Sequence, residues 1–167
     1  MPAVQEMERL MDAYGDAVFR MCLLYLKDYH LAEDAAQETF IKAMNSYDSF
    51  RGKAAEKTWL TKIAINCCKN IMRSSWFRLS RNELKEETTA QGRNILEQLD
   101  EYDSMAGAIM KLNSGDRQMI LLYYYQELSM KEIAKIIGKS ENTVSQRMNR
   151  ARRRLKKILM EAGYENG

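Results

Sequence analysis

Two stretches of the chain place side chains that can read or grip nucleic acid at regular helical spacing. In the later one, Asn142, Gln146, Asn149, Arg150, Arg153 and Lys157 fall on one side of a helix at about 100° per residue, with Ser145 and Arg152 beside them. Amides and guanidinium groups present paired donors and acceptors that match base edges in the major groove, and later cations suit the phosphate backbone. Lys139, Arg147, Arg154 and Lys156 extend the positive surface. In the earlier stretch, Lys62, Asn66, Lys69 and Arg73 line up opposite an expected buried stripe of Leu60, Ile63, Ala64, Cys67 and Ile71, with Trp59 at the boundary. Cations beside an aromatic ring and an amide can follow a single strand and engage its unstacked bases. Both stretches have a plainer reading as solvated charged faces, with Trp59 mostly in the core.

The elements that must position these side chains follow from caps and periodicity. Ser129 with Glu132 forms a capping box, the helix runs through Ile133 and Ile137, Gly138 supplies a left-handed stop, and Ser140 caps the next helix. Val144, Met148, Ala151, Leu155 and Ile158 then face the core, so the pair reads as a helix-turn-helix. Earlier in the chain, residues 4–27 carry Leu10, Tyr14, Ala17, Val18, Met21 and Leu24 at helical spacing. A second helix is expected from about Leu31 to Tyr47 on Ala32, Ala36, Phe40, Ala43 and Met44. An irregular stretch, residues 48–53, and a third helix over 55–77 follow. Residues 82–103 begin as a polar linker, and helical pattern returns from about Ile95 through Leu112. Ser114 is expected to cap a helix reaching Tyr125, whose tyrosines 123–125 read as packing residues.

Composition supports an all-α chain of two small domains, residues 1–81 and 104–167, joined by that linker: 167 residues contain one proline and eight glycines, and no alternating strand pattern is present. Net charge is only +3, but it is distributed in blocks. Residues 1–50 carry four cations against nine acids, whereas 51–81 carry eight cations against Glu56 alone; 82–116 carry three against eight, and 129–167 ten against four. Two positive footprints could hold one polyanion at two places, with acidic stretches left for a protein partner or for solubility. Three cysteines, Cys22, Cys67 and Cys68, two of them adjacent, argue against a disulfide framework, and a single histidine, His30, offers no zinc-ligand spacing. These are expected to be core fillers and a surface residue. No catalytic triad, paired-carboxylate cleft or phosphate-binding glycine loop is present, so neither an enzyme nor a cofactor is expected. No apolar run spans a membrane and no signal-peptide pattern opens the chain, so a cytoplasmic protein without direct membrane insertion is expected.

The runs LAEDAAQETFIKAMNSYDSFRG at 31–52 and TWLTKIAIN at 58–66 resemble the region-two domain of extracytoplasmic-function sigma factors of bacterial RNA polymerase. The run from Leu121 through LSMKEIAKIIGKSENTVSQRMNRARRRL resembles their region-four domain, in the right order and at the right separation. The resemblance implies a subunit that directs core polymerase to promoters and helps melt them. It would make Asp34, Gln37 and Glu38 contacts to core polymerase. Phe50, Arg51, Trp59, Lys62, Asn66, Lys69 and Arg73 would engage the melted minus-10 element, with Asn66 beside a flipped base. Thr143, Ser145, Gln146, Arg147, Asn149, Arg150 and Arg153 would read the minus-35 duplex. Asn142 stands where the family often has glycine. An anti-sigma factor, often membrane-bound, is the regulator the resemblance implies. Two other classes remain beside this one: an autonomous dimeric helix-turn-helix regulator, and a helical adaptor that binds no nucleic acid.

Overall fold

The computed structural model describes residues 4–50, 55–74 and 104–163, and the chain divides into two compact units, Met1–Gly92 and Arg93–Gly167. The division at Gly92 falls inside the expected linker, residues 82–103, which itself lies outside the described residues, as does Arg51. Among the described residues every regular element is a helix.

Among the described residues, unit 1 is three helices packed on one another: α1 (Val4–Leu26), α2 (Tyr29–Phe50) and α3 (Glu56–Arg73). The first buries Met7, Leu10 and Val18 on one side, then every residue from Met21 to Leu26. A helix end that is apolar all round must be covered all round. Ala17, expected in the stripe, is exposed instead. Lys27 takes a left-handed φ of 60° and its N–H bonds to Leu23 O at 2.8 Å, ending α1; the Asp28 carboxylate then accepts from Leu31 N at 2.9 Å and starts α2.

On α2 the fully buried Ala32, Ala35 and Ala43 present little bulk to α1 and α3. The helix does not stop near Tyr47 but continues to Phe50, because no breaker precedes Gly52; the Ser49 hydroxyl folds back onto Ser46 O at 2.8 Å. On α3 the buried residues are Leu60, Thr61, Ala64, Ile65, Cys67 and Cys68, while Ile63 and Ile71 are only partly covered. The buried face is thus turned toward Ile65 and Cys68, placing Ile63 beside Trp59 nearer the surface. Ser74 closes the helix through bonds from its N–H and hydroxyl to Ile71 O, at 3.1 and 2.8 Å. The remainder of the expected span, 75–77, lies outside the described residues.

Unit 2 contains α4 (Ser104–Lys111), α5 (Ser114–Ile120), a π-helical turn (Leu121–Tyr125), α6 (Met130–Ile137) and α7 (Glu141–Glu161). Asn113, not Ser114, caps α5: its side-chain oxygen accepts from Asp116 N at 2.9 Å, and its amide donates to the Asp116 carboxylate at 3.1 Å. The expected α-helix to Tyr125 is interrupted after Ile120, where the chain widens and Gln126 N reaches Leu121 O at 3.0 Å. The capping box of α6 is reciprocal, Ser129 and Glu132 each accepting the other's backbone N–H at 3.1 Å. Gly138, at φ 69° and ψ 36°, turns the chain, and Ser140 accepts from Thr143 N at 3.1 Å to start α7. Such a cap contributes about 1 kcal/mol. Ser140→Ala should lower amide-exchange protection across unit 2 of the full chain by that amount and leave α1–α3 unchanged.

Candidate nucleic-acid interface

Val144, Met148, Ala151 and Leu155 anchor α7 on α5 and α6, which fixes its rotation and turns the polar side outward. Ile158, expected with them, is only partly buried. Thr143, Gln146, Arg147, Asn149, Arg150 and Arg153 line one shallow concavity on the outward side. All but Thr143, which is partly covered, are exposed, so their donors are open to a ligand; Ser145 lies partly covered at the margin.

Two arginines of the same helix are committed elsewhere. Arg152 donates from Nε to the Tyr124 hydroxyl at 3.1 Å, and its guanidinium lies over the Tyr123 ring, 4.9 Å from the centroid. Arg154 donates from Nη1 to the Asp116 carboxylate at 2.7 Å. These contacts pin the two edges of α7 to the π-helical turn and to the capped start of α5. Arg152 and Arg154 therefore act first as fasteners that orient the outward face of α7. Tyr124, expected as packing, is half exposed and serves as the acceptor in one of these fasteners.

In unit 1, Trp59 stands on the first turn of α3, partly buried, and Phe50 from the end of α2 stacks on it with centroids 4.5 Å apart and planes inclined 21°. Tyr47 meets the same indole edge-on at 6.2 Å and 67°. Phe50 and Trp59 thus form one aromatic wall rather than two separate base platforms. Along α3 from that wall, Lys62, Asn66 and Arg73 are exposed and Lys69 is partly covered. Asn70 is exposed on the same side, one turn from Asn66, and was not singled out from sequence, although its i+4 spacing from Asn66 carries the signal.

A polar network braces the wall. Glu6 on α1 accepts from the Tyr47 hydroxyl at 3.0 Å and from Arg9 Nε at 3.0 Å; Arg9 also donates from Nη2 to Glu56, the first residue of α3, at 2.6 Å. Hydrogen bonds from Arg9 and then Tyr47 hold the Glu6 carboxyl below its ordinary value of 4.5, and the bond to Glu6 raises the Tyr47 phenol above 10. The Glu6 contribution is therefore present above the ordinary carboxylate value and fades as pH falls through the lowered one. That of Tyr47 is present below 10 and is lost as pH rises through its raised value. The bracing should hold across neutral pH, and a carboxyl titration followed by NMR should place the Glu6 midpoint below the ordinary glutamate value.

On α2, Asp34, Gln37 and Glu38 are exposed at i, i+3 and i+4 and so share one acidic-amide face; Ile41, 48% exposed, continues it by one turn. Phe40, one residue away, is buried. Among the described residues, no group of three or more His, Cys, Asp or Glu side chains is placed to hold a metal ion.

Residues 10–78 match the Sigma-70 region 2 family, and residues 102–155 match Sigma-70, region 4. The chain is 34% identical over 149 residues to the RNA polymerase sigma factor YlaC of Bacillus subtilis (strain 168), a match covering 85% of this chain and 86% of that protein. It is 30% identical over 164 residues to the ECF RNA polymerase sigma factor SigW of the same organism, covering 91% and 88%. Among solved structures, the sigma factor RpoE, in its complex with the anti-sigma factor NepR from Bartonella quintana, shares the fold with a TM-score of 0.71. The identity is 22%, over 94% of this chain and 98% of that one.

Proposed function

This chain belongs to the sigma-70 family, in its extracytoplasmic-function branch, and on that premise we propose how its surfaces divide between polymerase and promoter. It is an RNA polymerase sigma factor, a subunit that directs core enzyme to promoters and assists melting; the polymerase supplies the chemistry. Unit 1 holds core polymerase through Asp34, Gln37 and Glu38 and takes the unpaired minus-10 strand along α3. Unit 2 lays α7 into the minus-35 major groove, with Gln146, Asn149 and Arg150 at base edges and Arg147 and Arg153 toward phosphates. Residues 82–103 join the two and, fully extended, would reach at most about 70 to 80 Å. Binding at one element thus raises the effective concentration of the other unit at its own element.

The observation that carries the minus-10 assignment is the wall of Phe50 on Trp59 at the head of a face bearing exposed Lys62, Asn66 and Arg73. Extracting a base costs a few kcal/mol of stacking and pairing. A preformed aromatic surface followed by an amide and cations returns that energy to an unpaired base, which can extend the stack beyond Phe50 or replace Phe50 on the indole. Among the described residues no helix is long and apolar enough to cross a membrane, and the proposed site of action is the cytoplasm, with an anti-sigma factor as the regulator that occludes these surfaces.

Run-off transcription with purified core polymerase on a promoter library tests the proposal. Initiation from a defined two-element sequence, dependent on this chain, supports it. A chain that never associates with core polymerase and binds duplex DNA as a dimer would instead be an autonomous regulator. Binding without steep loss on adding salt would point to an adaptor that neutralises no phosphates.

A further inference from the structure

We propose that α1 supplies the positioning residues of the single-strand site: Glu6 and Arg9 clamp Tyr47 and the first turn of α3, so that the Trp59 ring is held where an unpaired base can stack. The inference rests on the minus-10 reading above and extends it to residues that face no nucleic acid. Its geometry is a closed circuit through all three helices. Arg9 joins Glu6 on its own helix to Glu56 on α3, at 3.0 and 2.6 Å. Glu6 takes the Tyr47 hydroxyl of α2 at 3.0 Å, and the Tyr47 ring meets Trp59 edge-on at 6.2 Å, closing the circuit one helical turn from Glu56.

The Arg9 and Glu56 side chains are 48% and 32% exposed, so their pairing contributes little to stability by itself. Arg9 is nonetheless bonded to two carboxylates, which restricts a long side chain that solvent would otherwise leave mobile. The Tyr47 hydroxyl gains an acceptor that holds the outer end of the ring in place, and that ring is the lateral support of the indole. Phe50 stacks on Trp59 and Tyr47 packs against it at 67°, leaving the indole little freedom to turn. Stacking of a base depends on ring placement, so tilting the wall weakens capture without removing a contact to DNA.

The test is a pair of double-mutant cycles in holoenzyme assembled from the full chain and core polymerase, with the rate of promoter opening and affinity for a single-stranded minus-10 oligonucleotide as readouts. Tyr47→Phe keeps the ring and removes the hydroxyl; Arg9→Gln removes both ion pairs from an exposed position. Each should reduce opening and single-strand affinity about three- to tenfold, with affinity for core polymerase and for minus-35 duplex changed less than twofold. In a Trp59→Ala background both substitutions should have no further effect, because the ring they position is gone. A merely structural role predicts the opposite, that their losses add to that of Trp59→Ala, and such additivity overturns the inference. If Trp59→Ala alone leaves opening unchanged, the minus-10 reading falls and this inference falls with it. If Trp59→Ala impairs opening while Tyr47→Phe and Arg9→Gln do not, only the positioning role is lost.

Discussion

Trp59→Ala should lower the affinity of the holoenzyme for a single-stranded minus-10 oligonucleotide by roughly five- to 150-fold, as expected from about 1–3 kcal/mol of base stacking. On duplex promoters the same loss should appear as fewer unpaired thymines reactive to permanganate, with closed-complex formation preserved. The indole carries this effect because it is touched by two other aromatic residues and placed at the head of the Lys62, Asn66 and Arg73 face. Phe50→Ala should cost less, since it removes one layer of the wall and leaves an indole face on which a base can stack. A Trp59→Ala protein with a lowered unfolding midpoint but undiminished single-strand affinity would show that the ring belongs to the core and that the lysines are only solvated.

Arg150→Ala and Arg153→Ala should fail in different ways. Both side chains are exposed in the concavity on α7, yet they lie one turn apart along a helix whose earlier residues are the ones proposed to meet base edges. Loss of Arg150 should weaken binding to the preferred minus-35 duplex by about 1–3 kcal/mol and relax discrimination at one base pair. Loss of Arg153 should weaken all sequences alike and reduce the salt slope by about one counterion. Titrations of each variant holoenzyme against matched and single-mismatch duplexes at several salt concentrations separate the two. Equal losses on every sequence for Arg150→Ala would remove it from the base-reading set.

The helix-turn-helix was legible because its signals are local. Ser129, Glu132, Gly138 and Ser140 act within four residues of their backbone partners, and the structure places each where spacing put it. Neighbouring capping types were harder to separate: Asn113 and Ser114 both suit a helix start, and the choice depended on which oxygen reached Asp116 N. The π-helical turn has no residue signature, since Leu121–Tyr125 is as apolar as an α-helix continuing through it would be. The fasteners Arg152–Tyr124 and Arg154–Asp116 join residues 28 and 38 apart, so composition registered both arginines only as positive charge. The wall of Phe50 on Trp59 forms across two helices, and periodicity within either one could not show that the rings share a face.

The chain's only cysteines, Cys22, Cys67 and Cys68, all lie in the core of unit 1. Burial raises the Cys67 thiol, and contact with the Cys22 thiol together with burial holds Cys68 well above its ordinary value. An alkylating reagent needs an accessible thiolate, so it must wait until these helices part. Unit 2 contributes no thiol to the reaction. The alkylation rate is then a clock for the opening of one half of the molecule, read in the presence of the other without labelling or truncation. Any partner that grips the closed form of unit 1 slows that clock in proportion to how tightly it binds.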